Sequence, residues 1–228
     1  IDSPITEINK DTFWALIHEA KEKCGQDMEA MAHELQDRLM SMGPEQAQAF
    51  HDILHIYEEL ADQYGLWDAA SIMMEWCSDD GFIDFRAWLI AQGREVYLAA
   101  LKDPDSLADV EPYGNCCFES LTYVGDAAYR QLTGENINEN ADPAAKEKQK
   151  AIQEADIIYR EDIRFPRPRR ALPAAYPRLC AQYGAAERFD TDSIGWNIGL
   201  ERVRSMLEQG KQYDLKKKLS RKKDGEAR

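Results

Sequence analysis

His51 and His55 stand four residues apart in a stretch with helical spacing, and Glu58 and Asp62 continue the same row. Imidazole and carboxylate groups one turn apart on a helix can share a metal ion. Such sites ordinarily draw further ligands from a second element, and no HExxH pattern supplies them here. The simpler reading is a solvated flank in which His and acid pairs support the helix, so no bound metal is expected. The His51-Asp52 dipeptide invites comparison with metal-dependent phosphohydrolases, but the spaced His and Asp ligands those enzymes need are missing.

A second candidate is the turn Ser78-Asp79-Asp80-Gly81. As a calcium loop it fails, because placing Gly81 at the sixth position puts Trp76 first and Ala87 twelfth, where acids are required. As a helix start it makes sense: Asp79 or Asp80 would accept the unpaired amide protons of the helix that follows. A working site would need the acid pair in a pocket near Arg86 or Arg94, with the carboxylates as acid and base and the guanidinium groups as anchors.

Cys116-Cys117 could hold a reactive thiol near a helix start, but no His with triad logic lies nearby in sequence, and small buried apolar residues are the simpler reading. Met28, Met31 and Met42 read as core packing. Arg164, Arg167, Arg169 and Arg170 lie in a Pro-rich stretch and suit phosphate or an acidic partner, although the acidic body of the chain itself is the nearest counter-charge. No glycine-rich phosphate loop, GxSxG elbow or zinc-finger spacing is present, and no cofactor is implied.

These groups must be positioned by helices. Asp11, a good N-cap, announces a helix whose apolar positions Phe13, Leu16, Ile17, Ala20 and Cys24 recur at helical spacing until Gly25. Asp27 opens a second such run to Gly43, and Pro44 a third that reaches Gly65. Three antiparallel helices with short connections follow. Residues 66–77 are apolar all round, Trp76 included, which predicts a central helix. Further helices are predicted over Phe82–Gln92, Arg94–Leu101, Asn115–Leu132 and Ala144 to about Tyr159, and a last one from Asp192 or Ser193 carries Trp196, Leu200, Val203 and Leu207. Between them, four Pro residues in the segment 164–178 forbid a long regular element and favour a wrapping, turn-rich backbone.

The 228 residues hold 42 acids against 28 bases, a net charge of −14, which argues against nucleic acid as the main partner. The imbalance is uneven. Residues 211–228 carry eight bases and three acids, a tail near +5 that has little to bury and is expected to be disordered. No membrane span or signal peptide is evident, and five scattered Cys without CxxC spacing fit reduced thiols, so the cytoplasm is the expected compartment. The start at Ile1 points to residues trimmed upstream and leaves open whether a leader preceded them. The expectation is an all-α fold: a helical core over residues 1–134, an extension over 135–210 packed on it, and the basic tail.

The segment CSDDGFIDFRAWLIAQGREVYLAALKDPDSLADV, Cys77 to Val110, together with Trp67-Asp68-Ala69 and the opening FWALI from Phe13 to Ile17, resembles a bacterial family known as domain of unknown function 4240. The resemblance covers roughly residues 11–133. It implies no activity, cofactor or catalytic residue. Two readings are therefore carried forward. One is a non-catalytic interaction or regulatory module that binds another protein. The other is a hydrolytic or metal-assisted enzyme built on His51 and His55 or on Asp79 and Asp80.

Overall fold

The computed structural model describes residues 5–111, 115–137, 143–185 and 208–213. The protein is all-α, with no strand among the described residues. In chain order the α-helices are α1 (Lys10–Cys24), α2 (Met28–Met42), α3 (Pro44–Leu60), α4 (Tyr64–Met73), α5 (Asp79–Ala91), α6 (Arg94–Lys102), α7 (Glu119–Thr133), α8 (Pro143–Glu154), α9 (Leu172–Ala175) and α10 (Pro177–Gln182). Two 3-10 helices, Pro104–Asp109 and Arg169–Ala171, fill the connections. The helix expected from Asp192 or Ser193 lies outside the described residues, as does the tail beyond Tyr213. Within that expected tail, Lys211–Tyr213 are helical, and the Tyr213 ring packs 5.1 Å from that of Phe165.

Helices α1, α2 and α3 pack on one another, and α7 lies against α2, α3 and α5. The stripes that meet are those the periodicity marks: Phe13, Leu16, Met31, Leu35, Phe50, Leu54, Leu121 and Ala128 are buried. Their centre is aromatic. Phe13 and Phe50 rings lie 5.0 Å apart, the Trp14 indole donates to the Tyr57 hydroxyl at 2.9 Å, and the Tyr97 hydroxyl donates to the Tyr57 carbonyl at 2.7 Å. Each buried polar tip of this cluster is thereby satisfied, as an aromatic core requires.

Several expected helix boundaries are corrected: α7 begins at Glu119, not Asn115, and α8 ends at Glu154, not near Tyr159. The cap of α1 is Asn9, whose side chain accepts from the Asp11 and Thr12 amides, while Asp11 sits in the first turn. Helix α3 ends at Leu60, not Gly65. Gly65 instead lies in the first turn of α4, where its amide donates to the Ile163 carbonyl at 2.6 Å and a Cβ would stand 2.8 Å from the Ile163 side chain. Finally, α4 is buried over Leu66, Ala69, Ala70 and Ile72 as its all-round apolar surface demands, but it stops at Met73. Glu75 then takes a left-handed φ of 66°, and Trp76 is turned outward, 60% exposed.

The cover over α4 is the Pro- and Arg-rich stretch. Its backbone is turn-rich, and within it Arg167 is spent on the protein's own acid Asp162 while Arg164 lies over the Phe165 ring. Arg167 donates to an Asp162 carboxylate oxygen and, at 3.2 Å, to the Tyr176 hydroxyl, which in turn donates to Asp68 at 3.2 Å. Arg160 pairs with Asp162 at 2.9 Å and lies over the Tyr176 ring. Asp105 accepts from the amides of Arg178 and Leu179, satisfying the first turn of α10.

Asp68 is only 2% exposed, and burial pushes its carboxyl up to about 8, against the partial opposition of Arg167 and Tyr176. The folded chain therefore keeps a proton that the unfolded chain releases near pH ~4. The resulting contribution is full at low pH and is lost as pH rises toward about 8. Asp68→Asn is expected to keep the hydrogen bond and flatten this slope. The check is the thermal midpoint of both proteins at pH 5, 6.5 and 8. Parallel profiles would show that Asp68 is ionised throughout.

Candidate functional site

The turn that opens α5 is built by Ser78. Its hydroxyl accepts the Gly81 amide at 3.0 Å, so Ser78 is the cap, and the expectation that Asp79 or Asp80 plays that part is corrected. Asp79 and Asp80 are the first two helical residues, both exposed, where a carboxylate interacts favourably with the free amides through the helix dipole alone. Ser78→Ala should cost about 1 kcal/mol, whereas Asp79→Asn and Asp80→Asn should each cost less than about half of that. Urea midpoints of the three variants decide the matter. An Asp variant that loses as much as Ser78→Ala would return the capping role to the acids.

The two expected anchors do not turn toward this pair. Arg86 reaches back to α3, donating to the Glu58 carbonyl at 3.0 Å, standing 3.5 Å from Asp62 and covering the Phe82 ring at 5.0 Å. Arg94, at the start of α6, pairs with Asp156 at 2.5 Å and stands 3.6 Å from Asp11. Acids gather around the turn. Burial, and then Glu119, Asp80 and Glu58, raise the Asp84 carboxyl above its ordinary range. Trp76 stands two residues before the cap. In the same turn Trp67 stacks on Phe82 at 5.0 Å, and its indole N–H donates to the Cys77 carbonyl at 3.0 Å, which ties α4 to the start of α5.

The second region is the row on α3. It is only partly the solvated flank that the spacing suggested: the His55 and Asp62 side chains are exposed, but α7 packs on the row through Gly125, where a Cβ would lie 2.7 Å from His51 Cβ. Glu58 is 6% exposed; one of its oxygens lies 2.8 Å from His55 Nδ1, and the other accepts the Thr122 hydroxyl at 2.9 Å. His51 and His55 rings meet edge to face at 4.1 Å. Burial, reinforced by a charge on His55, lowers His51 to about 4, so it is neutral near pH 7, and its Nδ1 is buried without a partner. A groove of about 910 Å³ runs past both rings, between residues 7–11 ahead of and in α1 and the helix α8, with Lys10, Asp52 and Lys146 on its walls. No group of three or more His, Cys, Asp or Glu among the described residues is arranged to hold a metal.

The family described as Protein of unknown function (DUF4240) matches residues 8–131. The chain belongs to that family. The matched stretch includes α1 to α6 and most of α7, hence both regions above, while the Arg- and Pro-rich cover and α8 to α10 lie beyond it. No curated protein and no solved structure matches the chain. Membership fixes the kinship of the helical core and assigns no activity, so the roles of its residues rest on geometry. Sequence reasoning singled out Ser78, Asp79 and Asp80 but read Trp76 as a buried helix residue and passed over Thr122. Among the described residues no helix is long and apolar enough to cross a membrane.

Proposed function

We propose that the protein is a non-catalytic binding module that recognises a basic segment of another protein at the α4–α5 turn. The observation that carries this reading is Trp76: a large aromatic side chain, 60% exposed, two residues before the cap of a helix whose first turn carries the exposed acids Asp79 and Asp80. An exposed Trp is the side chain most enriched at binding hot spots. Its ring face attracts Lys and Arg, and the surrounding carboxylates both steer and pair with them. The charge of −14 is the complement of such a partner.

The test is an array of Lys- and Arg-rich peptides probed with wild type, Trp76→Ala and an Asp79→Asn/Asp80→Asn double variant. Salt-sensitive peptides bound by wild type should be lost in both variants. Peptides retained by Trp76→Ala would sink the reading.

The His55–Glu58 pair favours a second reading, general-base chemistry in the groove. A buried carboxylate bonded to Nδ1 fixes the imidazole and leaves Nε2 as the proton-accepting nitrogen. This reading stands if hydrolysis of chromogenic esters or phosphoesters is found and disappears in both His55→Ala and Glu58→Gln. It falls if any such turnover survives them.

A further inference from the structure

Two sulfur atoms meet, and a third borders the same glycine, where the α4–α5 turn meets the segment leading into α7. Cys117 Sγ lies 3.5 Å from Met74 Sδ and 4.0 Å from the Gly81 carbonyl oxygen. Cys77 Sγ lies 3.7 Å from the point where a Cβ on Gly81 would stand, so both thiols border the same residue in the first turn of α5. Cys77 is buried, whereas Cys117 and Met74 are half-buried, which opens the cluster to solvent on one side.

The backbone is bent on both sides of this meeting. Among the described residues, the non-glycine residues with left-handed φ are Glu75, at 66°, and Cys116, at 60°. The first lies between Met74 and Cys77 and the second adjoins Cys117. Such conformations are unfavourable for L-residues and collect at sites where geometry matters. Asp84 adds negative charge beside both thiols. Thiolate and thioether sulfur are soft donors that select copper(I) over hard cations, and copper(I) is content with two or three ligands. A cluster with two thiols and one thioether, and no imidazole, matches that ion and not a tetrahedral zinc site.

We infer that Met74, Cys77 and Cys117 form a binding site for one copper(I) ion. On binding, each thiol releases its proton to solvent, two S–Cu bonds replace two S–H bonds, and the Met74 thioether adds a lone pair. Copper stays monovalent, so no oxidant or reductant is consumed. The site needs no partner protein and stands apart from the peptide-binding reading.

The experiment supplies copper(I) as its bicinchoninate complex to the reduced full chain without oxygen, and follows transfer optically and by native mass. One copper per chain is expected. Cys117→Ser should weaken binding by about 100-fold or more, since even second-shell changes cost metals 10- to 100-fold, and Met74→Leu by about 10-fold. Cys24→Ser and Cys180→Ser should leave it unchanged. Copper X-ray absorption should show sulfur neighbours only. Cys117 is half-buried and Ser is isosteric, and Met74→Leu preserves apolar volume, so at least one variant reads the site in a folded chain. Failure to withdraw copper from bicinchoninate overturns the inference. So does equal loss in the Cys24 or Cys180 variant, or a nitrogen shell that would place the ion at His51 and His55.

Discussion

Arg167→Ala is expected to destabilise the protein by about 3 kcal/mol, the low end of the range for breaking a buried ion pair. Arg167 is 16% exposed and makes two hydrogen bonds that Ala cannot, to Asp162 and to the Tyr176 hydroxyl. Hydrogen bonds with a charged partner contribute about 1.5–3 kcal/mol each. The loss stays moderate because Asp162 keeps Arg160 and some exposure to water. Arg38→Ala supplies the contrast, since its pair with Glu19 is at the surface and should be worth less than about 1 kcal/mol. Urea unfolding of the two variants and of Arg167→Lys measures the difference. Should Arg167→Ala cost no more than Arg38→Ala, the cover over α4 would be held by apolar contacts alone.

Gly125→Ala is expected to cost about 2 kcal/mol even though the same exchange on an exposed helix would gain about 1 kcal/mol. Gly125 is where α7 crosses α3. A methyl group there would meet His51 Cβ at 2.7 Å, and the Ala47 carbonyl oxygen and His51 Cα at 3.1 Å. None of these is the movable end of a long side chain, so the helices must part. The contacts that would suffer include the Thr122–Glu58 hydrogen bond, which spans the same crossing. A neutral or stabilising result would show that the seam is loose. The informative companion measurement is the titration of His51 by NMR, because opening the seam should raise it from about 4 toward its ordinary value.

Much of the fold can be read from the residues. Apolar spacing marks α1, α2 and α3 and the buried circumference of α4, and Pro44 and Asp27 mark true starts. Caps are harder to read, because Asn9 and Asp11, or Ser78, Asp79 and Asp80, are all competent within two positions, and only backbone geometry chooses among them. Gly65 misled for a physical reason. A glycine after an apolar run reads as a helix stop, yet here it serves close approach by Ile163, a residue ninety-eight positions later. A separation of 43 positions likewise hides the sulfur cluster, since Met74 and Cys117 share no periodic pattern. Asp68 was visible within the Trp67-Asp68-Ala69 motif, but its partner Tyr176 was not, and a lone acid on an apolar helix has no meaning until the group that covers it is known.

The burial of Asp68 has a consequence for assembly. Its partner Tyr176 lies 108 positions further along the chain, and contacts that distant in sequence close late. Until then Asp68 faces water and is ionised at neutral pH; once Tyr176 and Arg167 settle over it, the acid is protonated. Docking of the cover is thus a proton-uptake reaction, of about one proton per molecule near pH 7. Its calorimetric heat should therefore change with the ionisation enthalpy of the buffer chosen.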